Sequence, residues 1–334
     1  MKCRRRLCVT ACRRVARSTW KEADSVGRPI IASEAIVMNG SDNMEHLSRR
    51  QFFGLSSTVG VAALLTDTEA DRNVAAASQA ALCGNPSDAA SSCPPASLQN
   101  ICGDPNDKND PLWNDVQYCI HGIVPPPPQL PPECLNKTAK YVVLHGKPEN
   151  TRNYLLLPAC RITGIECPFI WEADAPHYWN YAWNNAMPGG AVPVKYRSIG
   201  FGINSQDARR FNQLHIHMAG VQDSLQRRLH ELENAGDITD NPTQWADLKY
   251  RVTINGSQGD RTYRALVLAS LDQNIFTLLY RNVVQKSHLK MVDQTLIVVP
   301  KKTNSGFVGT FYVLNSDKSL HGGTSTCDQL LVYS

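Results

Sequence analysis

Between Phe211 and Gly220 the chain reads Phe-Asn-Gln-Leu-His-Ile-His-Met-Ala-Gly. Gln213, His215 and His217 alternate with Leu214, Ile216 and Met218. Successive side chains of a strand point to opposite faces, so a strand over 213–218 gathers the polar three on one face and the apolar three on the other. Imidazoles titrate near neutral pH, and two side by side can serve as nucleophile, acid–base group or metal ligand. A metal site would want a third ligand, usually His or a carboxylate. His145, His177, His230, His288 and His321 are present, but none sits in a recognisable ligand motif. A structural pair, satisfied by its neighbours, is the third alternative.

The elements that must hold this pair are legible in outline. Residues 141–144 and 154–157 read as strands separated by Gly146, Pro148 and Asn150, a hairpin pattern that Pro158 ends. Residues 196–203 read as a strand and 213–218 as its neighbour, with a polar loop, 204–212, between them. Asp174 and Pro176 have the look of a helix start, which places Trp179 and Trp183 four apart on one face as core. Leu225, Leu229 and Leu232 define a helical face within 224–233. Strands are expected at 250–254, 263–268, 295–299 and 307–314, with Gly309 marking a bulge. Earlier, 111–119 reads as a short helix with Trp113 and Val116 inward, and Pro125 to Pro132 as a stiff surface loop. The expected fold is α+β: an antiparallel sheet of five or more strands, helices packed on one side, and additional C-terminal strands. No glycine-rich phosphate loop or internal repeat is present.

The net charge of +4 over 334 residues lies in the N-terminal part. Residues 1–77 hold 12 basic and 8 acidic side chains, while 78–334 balance at 22 each. A neutral body carries no electrostatic footprint for nucleic acid. Ser48-Arg49-Arg50-Gln51-Phe52-Phe53, followed by a mildly apolar run to Leu65, resembles a bacterial twin-arginine export signal. The chain therefore divides into an upstream extension (1–37), a signal segment (38–77), an irregular Cys/Pro-rich segment (78–140) and a catalytic domain (141–334). Eight of the eleven cysteines lie in the last two, with no Cys-x-x-Cys pair, which fits disulfides in an oxidising compartment. Their pairing is open.

Gln213-Leu-His-Ile-His-Met-Ala resembles the histidine-triad motif with Gln in place of the first His. Residues 154–166, residues 203–217 and the late Cys327 together resemble the bacterial CDP-diacylglycerol pyrophosphatase family. The resemblance implies a histidine-triad-like sheet and hydrolysis of CDP-diacylglycerol to CMP and phosphatidate. It implies attack on the α-phosphorus by His215 as a neutral imidazole, its other nitrogen held by a backbone carbonyl, and a nucleotidyl-histidine intermediate. His217 then contacts the non-bridging oxygens or helps protonate the leaving group, and Gln213 and Asn204 orient the phosphate. Arg161 either binds phosphate or pairs with Glu166, and Arg209 and Arg210 either meet the lipid phosphate or are solvated loop charges, the second being favoured. Such a site needs no metal and no cofactor. The implied partners are a lipid nucleotide substrate and a membrane surface, reached from the bacterial periplasm or envelope, by a monomer or a dimer. A histidine-triad hydrolase of soluble dinucleotides or nucleotide sugars, and a non-catalytic exported binding protein, are the alternatives.

Overall fold

The computed structural model describes residues 93–148, 151–172, 174–192 and 199–333. The stretches read from sequence as an upstream extension (1–37) and a signal segment (38–77), and Cys83, lie outside these residues. One ten-stranded antiparallel sheet organises the fold. Its strands are β1 Cys134–Lys137, β2 Tyr141–His145, β3 Tyr154–Pro158, β4 Ile199–Ile203, β5 Ile216–Val221, β6 Arg251–Gly256, β7 Gly259–Leu268, β8 Thr295–Thr303, β9 Gly306–Ser316 and β10 Leu331–Val332. Nine run in the order β1-β2-β3-β5-β4-β8-β9-β7-β6, and β10 joins β5 separately. The helices are α1 Gln99–Cys102, α2 Pro111–His121, α3 Tyr178–Ala186, α4 Asp223–Asn234 and α5 Ile275–Leu279. Among the described residues no helix is long and apolar enough to cross a membrane.

Helices cover both faces of the sheet, not one. On the first face, Val143, Leu156, Met218, Phe201, Val298 and Val313 pack against Trp179 and Ala182 of α3 and Phe276 and Leu279 of α5. On the second, α2 seals Val142, Leu144, Leu155 and Leu157 through Leu112, Trp113 and Val116. Further along that face, α4 seals Ile297, Val299 and Leu314 through Leu225, Leu229 and Leu232. The physical reason is visible in strands such as Leu155-Leu156-Leu157 and Ile297-Val298-Val299: a strand apolar at every position is buried on both sides.

Several elements match their sequence signals. Trp113 and Val116 point inward, with Asp110 capping α2 through the Trp113 N–H. Trp183 packs edge-on to Phe201 and Phe311. The bulge is present, since one β8 residue opposes three on β9 between the pairs Pro300–Phe311 and Lys302–Phe307. Gly309 there has φ +83°, a conformation that favours glycine. Several boundaries differ, β7 beginning at Gly259 and β8 running on to Thr303. Helix α3 starts at Tyr178, because Glu172 and Pro176 close turns first and Asp174 caps nothing in it. Strand β5 starts at Ile216, for a reason given below.

Three disulfides, Cys93–Cys160, Cys102–Cys167 and Cys119–Cys134, fit an oxidising compartment. The first two staple the N-terminal segment onto the loop that follows β3, so the second closes a loop already shortened by the first. Cys327 is a free, buried thiol. Replacing Cys102 and Cys167 together by Ala should lower stability by about 2–4 kcal/mol, read from urea unfolding midpoints.

Burial raises the Asp115 carboxyl from 3.8 to about 6, although Gln129 donates to it. The folded state therefore favours the protonated acid, so stability falls as the pH rises from 3.8 through about 6 and the full penalty is present above that range. Asp115→Asn should raise the melting temperature at pH 7–8 and give no gain at or below pH 4.

Candidate active site

Strand β5 has one edge paired with β4 along its length and the other shared by two strands. Strand β3 pairs with Ile216 to Met218, and β10 takes over at Gly220 and Val221. Arg152 N–H closes the junction by donating to Tyr333 O at 2.8 Å. His217 lies two residues before this changeover, opposite Leu155 on one side and Gly202 on the other. Its face is the second one, in the gap between the clusters under α2 and α4.

The approach to β5 explains its late start. The last β3 pair is Leu156–Ile216. Beyond it, side-chain bonds replace the ladder. The fully buried Gln213 amide donates to Cys160 O at 2.9 Å and Pro158 O at 3.3 Å. Its Oε1 accepts from Arg161 Nη1 at 3.2 Å and Ile162 N–H at 3.3 Å. Leu214 N–H donates to Ile162 O at 2.6 Å. Asp110, at the start of α2, accepts the Asn212 N–H. The chain entering β5 is thus fixed on both sides.

His215 and His217 come together as the alternation predicts, with ring centroids 4.9 Å apart. His215 Nδ1 lies 2.7 Å from Gln213 O. A carbonyl only accepts, so Nδ1 carries the proton and Nε2 keeps its lone pair. Burial lowers the His215 pKa, against the raising effect of that carbonyl, so the ring is neutral. His217 is lowered as well, by burial first and by His215 second. Its Nδ1 faces Asn153 Oδ1 at 3.2 Å, and its Nε2 is buried without a hydrogen-bond partner. The pair can offer one oriented nucleophilic nitrogen and one free imidazole nitrogen beside it.

The other residues singled out by sequence reach the pair indirectly. Asn204 Oδ1 accepts from Cys327 N–H at 2.8 Å, holding the tail segment beside His217. Both ends of the Gln213 amide are engaged by protein, and its backbone carbonyl is the group that touches a histidine. Arg161 donates to Asn212 O at 2.9 Å and approaches Asp107 at 3.5 Å. It does not pair with Glu166. That carboxylate is held by both terminal nitrogens of Arg209, each at 2.7 Å. Arg209 is accordingly not a solvated loop charge, its side chain being 4% exposed. A bidentate carboxylate satisfies a guanidinium that burial would otherwise penalise. Arg210 stacks over Phe211.

Asn153, Asp328 and Tyr333 were missed by sequence. Asn153 precedes β3, two residues before Leu155, and so shares the His217 face. Tyr333 meets the His217 ring edge-on and donates to Asp328. Asn153 reaches His217 through the β3–β5 register, and Asp328 and Tyr333 through the pairing of β10 with β5 from the far end of the chain, so no local pattern marks any of the three.

A paired-histidine site at a strand junction of an antiparallel α+β sheet is the class that fold and site define. A family model described as CDP-diacylglycerol pyrophosphatase matches residues 107–331, and the chain belongs to that family. It is 32% identical to a CDP-diacylglycerol pyrophosphatase of Yersinia pestis over 144 residues, 42% of this chain and 53% of that protein. It is 30% identical to a probable CDP-diacylglycerol pyrophosphatase of Mycobacterium leprae (strain TN) over 125 residues, 34% of this chain and 40% of that protein. The matched stretches thus span about half the length of these relatives or less.

Truncating Gln213 removes a buried partner from the Pro158 and Cys160 carbonyls and from the Ile162 N–H, while Arg161 keeps Asn212 O. Gln213→Ala should therefore cost at least about 1–3 kcal/mol of stability, measured by chemical unfolding. A residue serving only to orient substrate would leave the unfolding midpoint unchanged.

Proposed function

We propose that this protein hydrolyses CDP-diacylglycerol to CMP and phosphatidate through a nucleotidyl-histidine at His215. The observation that carries this reading is the 2.7 Å contact between His215 Nδ1 and Gln213 O, which fixes the tautomer with Nε2 free. Nε2 attacks the phosphorus that bears cytidine. The N–P bond forms as the bridging P–O bond breaks, and phosphatidate leaves. Water then attacks the same phosphorus, CMP departs, and Nε2 regains its lone pair. Two moderate steps replace one difficult displacement.

His217 is the second member. Held by Asn153, its free Nε2 accepts a proton from the attacking water or, when protonated, donates to the departing oxygen. Gln213, Arg161 and Asn204 act as positioning groups: the first two fix the approach to β5, and Asn204 holds the tail. The family description and the names of the relatives support the lipid nucleotide as substrate. The disulfides and the twin-arginine-like segment support work outside the cytoplasm, at the membrane surface that holds the lipid.

The test is CMP release from CDP-diacylglycerol in detergent micelles by the full chain, with EDTA present. Activity should persist in EDTA and fall to background in His215→Ala. Equal release by parent and variant would remove His215 from the chemistry. Cleavage of nucleotide sugars or dinucleotides alone would discard the lipid. His217→Ala should lower kcat about 10²–10⁴-fold, the range for loss of a general acid–base group.

A further inference from the structure

The strand junction holds more donor atoms than the proposed hydrolysis uses. His217 Nε2 or Nδ1, Cys327 Sγ and an Asp328 carboxylate oxygen offer ligand atoms within 4.8 Å of one another. Nδ1 is engaged by Asn153, so Nε2 is the available nitrogen, and it is buried with no partner. The sulfur is built in closely. Gly202, opposite His217 on β4, has no side chain, and a Cβ there would lie 2.7 Å from Cys327 Sγ. The Cys327 backbone is fixed by Asn204, and its thiol stays out of the three disulfides.

One imidazole, one thiol and one carboxylate form a donor set suited to zinc-class cations and poorly suited to calcium or magnesium, which take oxygen ligands. Three protein donors also leave a fourth position open. We propose that His217, Cys327 and Asp328 bind a zinc-class divalent cation, and that its binding inhibits the enzyme. The metal–sulfur bond replaces the Cys327 S–H bond, and that proton goes to solvent. The Nε2 lone pair and the carboxylate are donated without proton loss. A bound cation takes Nε2 of His217 away from the substrate. This inhibitory consequence rests on the catalytic reading above, whereas the binding itself does not.

The test adds Co²⁺ alone to the full chain and records its absorption. A thiolate-to-cobalt charge-transfer band is expected in the parent and absent in Cys327→Ser. Separately, Zn²⁺ should suppress CMP release, EDTA should restore it, and Asp328→Asn should weaken zinc inhibition on the order of tenfold or more. Asp328 is exposed, so this variant tests the site even where loss of the buried thiol disturbs folding. An undiminished band in Cys327→Ser, arising from other thiols, or equal zinc sensitivity in Asp328→Asn, would overturn the site. Activity lost in EDTA would overturn the inhibitory role. A Cys327-dependent band in a chain that releases no CMP would leave the site standing and remove the hydrolase reading.

Discussion

The geometry of the histidine pair depends on one residue, Gln213, used at both ends. Its backbone carbonyl sets the His215 tautomer, and its side-chain amide ties the loop after β3 to the start of β5. A ladder bond would have served the backbone here, but β3 and β5 stop pairing at Leu156–Ile216. The amide satisfies the buried carbonyls while the strands part. Asparagine would be too short for this bridge, and a carboxylate would face two carbonyls without a donor. The neutrality of both imidazoles follows from the same enclosure, since burial penalises the charged form.

The enclosure is made by distant parts of the chain. Disulfides hold residues 93–102 against the loop that carries Arg161, and Asp110 at the start of α2 anchors Asn212. Gly103 lies so close to Arg161 that an added Cβ would fall 2.9 Å from its Nε. From the other end, Asn204 and β10 bring Cys327, Asp328 and Tyr333 to the junction. Residues 93–110, within the segment that reads as irregular in sequence, are therefore part of the wall around the site. Before α2 this stretch lacks periodicity because covalent and polar links anchor it, instead of a repeated apolar face.

Alternation told most where one face differed from the other. The His217 face, the α4 leucines and the β9 bulge all show in residue patterns of one strand or helix. The two-sided covering did not, because an unbroken apolar run suits a strand buried on both faces without saying what buries it. The partners of Arg161 and Arg209 were illegible for another reason. Four charged residues within a few loops permit several pairings, and only the folded path selects Asp107 for one and Glu166 for the other. The ligand atoms beside His217 lie in Cys327 and Asp328, 110 and 111 residues beyond it, where no local ligand spacing shows them.

The central claim is that the nucleotidyl group passes through His215 Nε2. Its most direct measurement mixes the full chain with CDP-diacylglycerol, quenches in alkali within one turnover, and maps the added mass by peptide sequencing. The account predicts a cytidylyl adduct on His215 that forms and decays at rates able to support turnover. An adduct on His217, or rapid CMP release with no adduct at any time, would contradict it.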